Sequence, residues 1–394
     1  MKYRRLFMAS LLAPWVFPSA ALSQDPADEL IKVIEGPQQP DRQGLDSFTL
    51  EELMEEFGVP GVSIAVIKDF EIHWAKGYGI ADVETGAKVD TETLFQAASI
   101  SKPVNAMAFL KAAQDGKLSM DDDINHILKS WKIPDSPFTK DHPVTPRTLA
   151  SHISGLGDGF GFPGYDPSDP LPTVVQILNG EKPSNVGPVL LARPPMTAFH
   201  YSGGGVTILQ LALTDAIGRS YPEILQDYVL GPIGMTRSTF EQPLLPERDK
   251  NASRAHDSDG KAMGAKWHVY PELATAGLWT TPTDLAKFAI EVQKSLQEEA
   301  NNVLSQTMIK EMLDPVGVGD YGVGFSVIKQ GQGWYFGHGG GNWGFRCILS
   351  AHKVKGYGFA IMTNAQNGGL IFNELKERIE RAYSYDSLDK FVPR

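Results

Sequence analysis

The sequence predicts an α/β protein in which an antiparallel sheet, flanked by N- and C-terminal helices, carries an inserted, mostly helical domain. Three observations lead to this prediction. GVSIAVIKD (61–69) and EIHWAKGYG (71–79) are rich in β-branched and aromatic residues and are typical of a hairpin turning at Asp69 and Phe70. Strand-like stretches return only near the C-terminal end. The residues between these two regions form helical stretches separated by loops rich in proline and glycine.

Each end of the predicted sheet has a helix beside it. Residues 47–57 place their apolar side chains on one face, and Gly58 follows as a stop. At the other end LIFNELKERIERAY is amphipathic. The helical stretches between are VNAMAFLKAAQDGKL, TVVQILNG, VTILQLALTDAIG, YPEILQDYVLG and TPTDLAKFAIEVQKSL. The late strands are YGVGFSVIKQ, GWYFGHGG, FRCILSAHK and GYGFAIMTN. We therefore expect residues 47–110 and 315–394 to form the sheet domain and residues 111–314 the helical domain.

The N-terminus has the pattern of an export signal. A basic start (Met1-Lys-Tyr-Arg-Arg5) precedes about a dozen mostly apolar residues and a run of small residues that ends at Ser23. The apolar run is too short to span a bilayer, although an uncleaved membrane anchor is the alternative reading. We predict a signal peptide over residues 1–23, a polar, proline-broken linker over 24–46, and a bacterial periplasmic or secreted protein with no membrane span after cleavage.

The composition of the chain argues against several classes of function. The 394 residues carry a formal charge of −11, which disfavours a nucleic-acid partner because phosphate binding needs a basic face. The one cysteine, Cys347, cannot form an intrachain disulfide and is expected in the core. Nine histidines lack HExxH or a comparable ligand spacing, so neither a metal nor another cofactor is predicted. The sequence makes no prediction of the oligomeric state.

A serine three residues before a lysine is a weak signal by itself. It occurs five times, at Ser99/Lys102, Ser258/Lys261, Ser326/Lys329, Ser350/Lys353 and Ser387/Lys390. Residues three apart share a face on a helix but point to opposite sides of a strand. The pairs that begin at 326 and 350 lie in predicted strands, and those at 258 and 387 lie in a polar loop and in the tail. Ser99 alone stands where a helix is predicted to begin, with its lysine one turn on.

Ser99 and Lys102 have two readings. In one, Lys102 removes the proton of the Ser99 hydroxyl, which requires that the lysine pKa fall from about 10.4 toward 7, a change of about 5 kcal/mol. Burial would lower this pKa, and so would a protonated His338 nearby. In the other reading, Ser99 caps the helix and Lys102 is a solvated side chain of its first turn.

A family resemblance favours the first reading. TLFQAASISKPVNAMAFLKAAQDGKLSMDDDI resembles the nucleophile segment of serine β-lactamases of class C type and of their penicillin-binding-protein, esterase and D-aminopeptidase relatives. Further segments follow in that family's order: VTPRTLASHISGL (144–156), FHYSGGGVTILQL (199–211), LGPIGMTRSTF (230–240), ELATAGLWTTPTDLAKF (272–288) and FGHGGGNWGF (336–345). The resemblance implies the DD-peptidase/β-lactamase fold from about Pro60 to the C-terminal helix.

The resemblance also implies roles for individual residues. Ser99 would be the acylated nucleophile and Lys102 its proton acceptor. Tyr201, in Tyr-Ser-Gly, would pass protons to and from the leaving group. The oxyanion hole would be formed by the backbone N–H groups of Ser99 and Gly341. His338 would begin the third motif, on the strand that lines the site.

Substrate contacts are predicted around these groups. Gly339 and Gly340 would let a substrate backbone approach the strand closely. Gly203, at the end of the second motif, stands where the family commonly has an asparagine that contacts the amide of a β-lactam or peptide side chain. Trp343, together with Trp279 and the loop 155–172, is a candidate wall of the pocket, with ordinary packing as the alternative. His152 and Ser154 lie in a segment that resembles one beside the family's site, and we expect them to make structural hydrogen bonds.

We therefore predict an exported serine hydrolase that acts through a Ser99 acyl-enzyme, most simply an esterase. Two departures from the family favour an ester: Gly203 replaces the asparagine, and the third motif begins with His338 where lactamases have lysine. D-Ala-D-Ala carboxypeptidase or D-aminopeptidase activity is the first alternative, and weak β-lactamase activity follows. An acyltransferase and a non-catalytic cell-wall-binding protein of the same fold are the remaining alternatives.

Overall fold

The structure, a computed structural model, describes residues 26–39, 44–140, 142–159 and 161–389. The predicted signal peptide lies outside these residues. The strands are β1 (Gly61–Lys68), β2 (Glu71–Asp82), β3 (Ala87–Lys88), β4 (Phe95–Gln96), β5 (Trp279–Thr280), β6 (Ser326–Gln330), β7 (Gly333–Asn342), β8 (Phe345–His352) and β9 (Gly358–Thr363). Seven of them form an antiparallel sheet in the order β3-β2-β1-β9-β8-β7-β6, and β4 pairs with β5. The sheet thus joins strands from both ends of the chain, as predicted.

The predicted hairpin is confirmed. Asp69 and Phe70 connect β1 to β2 with φ angles of 52° and 62°. Two successive left-handed residues are the pattern of a tight hairpin turn whose twist matches that of the strands. The register then pairs Val62 with Tyr78 and Val62 with Thr363 of β9, which places β1 inside the sheet.

The helices lie on both faces of the sheet. They are α1 (Pro26–Glu35), α2 (Leu50–Glu56), α3 (Ser101–Gln114), α4 (Ile124–Ile127), α5 (Pro146–Ala150), α6 (Val174–Asn179), α7 (Gly203–Ile217), α8 (Tyr221–Leu225), α9 (Gly231–Ile233), α10 (Pro246–Asp249), α11 (Leu273–Ala276), α12 (Pro282–Leu296), α13 (Gln306–Leu313) and α14 (Leu370–Ala382). α1, α2 and α14 share one hydrophobic core with one face of β1. The helices between residues 101 and 313, among them α12, lie on the side of the sheet opposite to α1, α2 and α14.

Alternation along β1 separates the two cores. Val62, Ile64 and Val66 are fully buried against the terminal helices, whereas Ala65 and Ile67 belong to the core shared with the helical part. Successive side chains of a strand point to opposite faces, so a strand buried on both faces is apolar throughout. This explains why GVSIAVIK contains almost no polar residue.

Two features differ from the simplest reading of the sequence. Part of the predicted linker 24–46 is the helix α1, and its Ile34 is fully buried against the terminal helices. Trp279 is fully buried beside Trp267 and Phe345, so it is a core residue and not a pocket wall.

Cys347 is a buried free thiol, as expected. Within the described ranges, no helix has the length and apolar character needed to cross a bilayer.

Candidate active site

Ser99 lies in a short 3₁₀ helix, Ala98–Ile100, that leads directly into α3. Ala98 has a φ of 47°, a left-handed conformation that costs a residue with a side chain on the order of 1 kcal/mol. Ser101 braces this turn, because its hydroxyl donates to Ala98 O at 2.6 Å and accepts from Leu278 N at 3.0 Å. The serine hydroxyl is therefore presented on a strained but well-supported turn.

Lys102 follows one turn later and is buried beneath the serine. Its side chain is only 2% exposed, and its Nζ lies 2.9 Å from Ser99 Oγ and 3.0 Å from Thr275 O. Burial lowers the pKa of Lys102 to about 7, and the negative charge of Asp158 opposes the shift. A large fraction of the amine is therefore neutral near neutral pH and able to accept the serine proton.

Tyr201 completes the group around the serine. Its ring lies 5.0 Å from Lys102 Nζ, and its hydroxyl lies 3.5 Å from His338 Nε2. Burial raises the pKa of Tyr201 well above 10, and a hydrogen bond with Ser99 opposes this shift. The phenol therefore keeps its proton near neutral pH and can donate it.

His338 is a neutral member of the site. Desolvation by the surrounding protein lowers the pKa of His338 to about 3, and the charge of Lys102 adds to this effect. Its Nδ1 lies 2.5 Å from Gly339 O. Of the two causes that the sequence suggested for a lowered pKa of Lys102, burial is the one that acts, because His338 is neutral.

These side chains surround a cavity of about 380 Å³. It is lined by Ser99, Gly161, Phe162, Tyr201, Thr275, Ala276, His338, Gly339, Gly340, Gly341 and Asn342. β6 pairs with residues 333–337 of β7 and ends there. Residues 338–342 of β7 therefore pair with β8 along one strand edge, and their other edge lines the cavity. Ser99 and Gly341, whose N–H groups are the predicted oxyanion hole, thus face the same space.

Gly340 allows β7 to approach the serine turn. A β-carbon at this position would collide with Ala97 O and with Cys347 Sγ. The absent side chain therefore brings the strand edge against the residues that precede Ser99. Ser99, Lys102 and the strand edge are held in one arrangement by packing as well as by hydrogen bonds.

The comparison with protein families agrees with this geometry. The family model described as "Beta-lactamase" matches residues 49–383. The chain belongs to the β-lactamase family. The family resemblance inferred from the motifs and the predicted α/β fold are both confirmed.

The chain is similar in sequence to Protein flp and to a penicillin-binding protein. Protein flp of Staphylococcus aureus (strain MW2) is 25% identical over 296 residues, which are 71% of this chain and 55% of that protein. The chain thus spans about half the length of the flp proteins that it matches. Penicillin-binding protein 4 of Amycolatopsis lactamdurans is 24% identical over 338 residues, with 82% of this chain and 86% of that protein covered.

Solved structures show the same fold. An octameric penicillin-binding protein homologue from Pyrococcus abyssi is 26% identical and superposes with a TM-score of 0.71, covering 88% of this chain and 78% of that one. The D-amino acid amidase of Ochrobactrum anthropi SV3 complexed with D-phenylalanine is 21% identical, with a TM-score of 0.70 and coverages of 90% and 99%. The second likeness shows the fold alone.

Two residues predicted to contact substrate do not line the cavity of this β-lactamase-family site. Gly203 is buried in the first turn of α7, and a β-carbon there would lie 3.0 Å from the Phe162 ring and 3.4 Å from Thr275 Cγ2. Trp343 stacks on His268 with ring centroids 3.9 Å apart, and its backbone N–H donates to Tyr270. Phe162 and Thr275 therefore form the wall in front of Gly203.

His152 supports Tyr201, which extends the structural role predicted for it. It is 1% exposed and has a φ of 59°. Its Nδ1 accepts from Ser202 N at 3.1 Å, and its ring lies 4.2 Å from the ring of Tyr201. Burial lowers the pKa of His152 well below 6.5, so the ring stays neutral. Ser154 is also buried.

Asp158 is a residue of the site that sequence reasoning missed. Its carboxylate accepts from the Ser202 hydroxyl at 2.6 Å and from Gly204 N at 2.7 Å, at the start of α7. Ser202 in turn accepts from Gly205 N at 2.8 Å as the N-cap of that helix. An acidic group at a helix N-terminus is favourable, and here it fixes the backbone next to Tyr201. The only sequence signal was an aspartate in a glycine-rich loop beside a family motif.

Among the residues that the structure describes, no group of three or more histidine, cysteine, aspartate or glutamate side chains is arranged to hold a metal ion.

Proposed function

We propose that this chain is a serine hydrolase that forms an acyl-enzyme at Ser99 and acts on carboxylic esters or small amides. The observation that carries the proposal is the position of Lys102 Nζ, 2.9 Å from Ser99 Oγ in a side chain that is 2% exposed. A serine hydroxyl becomes nucleophilic when an adjacent base removes its proton, and a lysine serves as that base only when it is neutral. Burial of Lys102 meets this requirement.

The reaction follows from the protonation states. Ser99 Oγ attacks the substrate carbonyl carbon while its proton passes to Lys102 Nζ. The carbonyl oxygen becomes an oxyanion, for which the N–H groups of Ser99 and Gly341 are the proposed donors. The bond to the leaving group breaks, and the leaving oxygen or nitrogen takes a proton from Tyr201, which is replenished from Lys102. A water molecule then gives a proton to the same groups and attacks the acyl carbon. The bond between this carbon and Ser99 Oγ breaks, Oγ takes the proton back, and the carboxylic acid leaves.

An ester substrate suits the cavity better than a penicillin. Among the described residues that line the cavity there is no lysine or arginine to pair with the carboxylate of a penicillin or of a D-Ala-D-Ala peptide. The Arg346 side chain, which lies beside Gly341, is hydrogen-bonded to the backbone oxygens of Asn342 and Phe345. Gly203 offers no side-chain amide, and Phe162 covers it. We therefore rank ester hydrolysis first, small-peptide or amide hydrolysis second and β-lactam hydrolysis last. We also propose, from the signal-like N-terminus, that the enzyme acts outside the cytoplasm.

Covalent labelling tests the nucleophile. A fluorophosphonate should add one adduct to the peptide that contains Ser99, and p-nitrophenyl acetate should be turned over. Ser99→Ala should abolish both, whereas Ser101→Ala, a neighbouring hydroxyl that holds the turn, should still be labelled at Ser99. An adduct elsewhere, or labelling that persists in Ser99→Ala, would show the assignment to be wrong. Labelling without turnover would indicate a binding protein, and acyl transfer to an added alcohol or amine would indicate an acyltransferase.

A further inference from the structure

Asn342 lines the active-site cavity at the end of β7. It follows Gly341, whose N–H group is a proposed donor of the oxyanion hole. The side-chain nitrogen of Asn342 donates to Gln96 Oε1 at 2.8 Å and to Ala276 O at 3.1 Å. Both hydrogens of the amide nitrogen are therefore bonded within the protein.

The neighbouring groups fix which way the Asn342 amide points. The oxygen and the nitrogen of a side-chain amide have nearly the same shape, so their positions follow from their partners. Ala276 O can only accept a hydrogen bond, which requires the nitrogen of Asn342 on that side. Gln96 Nε2 donates to His268 O at 2.7 Å, so Gln96 presents its oxygen to Asn342. Two backbone carbonyls thus orient both amides.

This orientation leaves Asn342 Oδ1 as an unpaired acceptor. Within the described chain no donor bonds to this oxygen, and it is not one of the side-chain atoms that are sealed from solvent. Because Asn342 is only 5% exposed and lines the active-site cavity, the oxygen opens to that cavity. Buried polar groups are as a rule hydrogen-bonded, so an acceptor held in this way indicates a donor on the ligand.

The direction of β7 places this acceptor beside the acyl part of the substrate. At the other end of the segment 338–342, His338 Nε2 lies 3.5 Å from the Tyr201 hydroxyl, the proposed proton donor to the leaving atom. Asn342 is four residues further along the strand, about 13 Å at the usual rise per residue. The leaving group therefore lies toward His338. The acyl group, whose carbonyl oxygen would be bound next to Gly341, extends toward Asn342.

A neutral hydroxyl is the donor that suits this acceptor. The described residues that line the cavity include none with a formal charge, so an ammonium group would have no counter-ion among them. An acylamino group would bring a carbonyl that needs a donor of its own, whereas a hydroxyl is satisfied by one acceptor. Of the described lining side chains outside the catalytic group, Thr275 donates to Gly203 O and Asn342 uses both its hydrogens. Neither has a hydrogen left for such a carbonyl.

We propose that Asn342 Oδ1 accepts a hydrogen bond from a hydroxyl group on the acyl part of the substrate. Because Asn342 directly follows Gly341, this hydroxyl belongs on the second or third carbon of the acyl chain. The inference rests on the proposed hydrolase function and narrows its substrates to hydroxyacyl esters. Asn342 is a specificity-determining residue in this proposal. It takes no proton in the reaction, and Ser99 and Lys102 do the chemistry.

Three esters that differ at one position test the proposal. The p-nitrophenyl esters of 3-hydroxy-, 3-methoxy- and 3-methylbutanoic acid share a leaving group, and the methoxy ester keeps the electron-withdrawing oxygen but cannot donate. We divide kcat/KM by the rate of alkaline hydrolysis of each ester. The hydroxy ester should exceed both others roughly three- to tenfold, in this set or in the matching 2-substituted set. Equal values in both sets, in a protein labelled at Ser99, would overturn the subsite and leave the hydrolase proposal standing.

Asn342→Ala should bring the ratio of the hydroxy to the methoxy ester close to one. Gln96→Leu is the matched control, because it removes one partner of the same amide while the bond to Ala276 O keeps Asn342 Oδ1 toward the cavity. Its absolute rates should fall and its ratio should persist. An Asn342→Ala variant with the wild-type ratio would show that Asn342 has a purely structural role and overturn the subsite.

Two further outcomes separate the alternatives. Faster hydrolysis of the 3-acetamidobutanoate ester than of the 3-hydroxybutanoate ester would assign an amide donor and overturn the hydroxyl. Failure to hydrolyse any of the esters, with no labelling of Ser99, would overturn the subsite and the hydrolase proposal together. If Asn342→Ala fails to fold, the ratios in the wild-type protein and in Gln96→Leu decide the question.

Discussion

Lys102 Nζ lies 2.9 Å from Ser99 Oγ, and the same helical turn that brings the two atoms together also buries the lysine. Thr275 O accepts from the amine on its other side, so α11 fixes the position of the nitrogen. Proximity, orientation and a lowered pKa are thus three consequences of one packing arrangement.

The pH dependence of kcat/KM should report the ionisation of Lys102. The base is active when neutral, so activity should rise with pH through about 7, the pKa of Lys102, and reach a plateau above it. The charge of Asp158 raises this pKa, so Asp158→Asn should move the midpoint to lower pH. Stopped assays with a neutral ester over a range of pH give the midpoint. A rise centred near 10 would mean that the lysine is not desolvated.

Replacing Lys102 by methionine keeps much of the side-chain volume and removes the base. We expect kcat to fall by about 10²–10⁴, the usual contribution of a general base. Lys111→Met is the matched control on the same helix, because Lys111 is partly exposed and pairs with Asp115 at 2.5 Å. Its kcat should be unchanged. A Lys102→Met variant with wild-type kcat and an intact fold would remove Lys102 from the mechanism.

Tyr201→Phe should affect poor leaving groups most. The Tyr201 phenol is protonated near neutral pH and is placed to donate to the leaving atom, a contribution that matters little when the leaving group is already a stable anion. The loss in kcat should therefore be larger for ethyl esters than for p-nitrophenyl esters. In the described part of the chain, the hydroxyl that Tyr321→Phe removes donates to Gly324 O, and the Tyr321 ring lies against His152 and His338. Its effect should be the same for both kinds of ester; a uniform loss in Tyr201→Phe as well would contradict the donor role.

The fold could be predicted where the signal is local. The hairpin at Asp69 and Phe70 and the helix after Ser99 each follow from residues within a few positions of one another. Ser99 and Lys102 were separable from four other serine–lysine pairs by local signals as well. Helix and strand direct residues three apart differently, which sets aside the pairs at 326 and 350, and the pairs at 258 and 387 lie in a loop and in the tail. Part of the predicted linker proved to be α1, whose apolar face packs against α2 and against α14 at the other end of the chain.

The rest of the site depends on distant partners. Lys102 is positioned by Thr275, 173 residues away, and Asp158 meets Ser202 across 44 residues. No periodicity or spacing in the sequence encodes such a contact. Gly203 and Trp343 show the opposite error, since their motifs pointed to the cavity while Phe162 and His268 turned out to be their neighbours. A motif predicts which segment lies near a site. Which of its residues line the cavity depends on how that segment packs against distant parts of the chain.

His152 offers two interactions with the Tyr201 segment that mutation can separate. Its Nδ1 accepts from Ser202 N, and its ring packs on the Tyr201 ring. Asparagine at this position keeps an acceptor and tolerates the left-handed backbone, whereas phenylalanine keeps the ring and leaves the Ser202 N–H without a partner. We expect kcat to fall roughly tenfold or more in His152→Phe and less in His152→Asn, with KM nearly constant in both. Equal losses in kcat and in thermal stability for the two variants would indicate a purely structural role.

Glu272 provides a prediction about stability alone. Its side chain is fully buried, and no other described residue hydrogen-bonds its carboxylate. Burial raises the pKa of Glu272 to about 8, against a smaller opposing effect of its own backbone N–H. The folded protein therefore keeps the proton that the unfolded chain releases above about 4.5. Because the unfolded state binds fewer protons between these two values, the free energy of unfolding should fall as pH rises from about 4.5 to about 8.

Glu272→Gln should remove this pH dependence, since the amide cannot ionise. The variant should gain on the order of 2 kcal/mol in the free energy of unfolding near pH 7.5 and almost nothing near pH 4.5, as measured by urea denaturation at both values. Glu291→Gln is the matched control, because Glu291 is also buried but accepts from Ser295, Asn302 and Val303. An amide nitrogen there opposes donors, so this variant should lose about 1 kcal/mol at both pH values. A Glu272→Gln variant destabilised equally at both pH values would show that Glu272 is bonded and ionised in the folded protein.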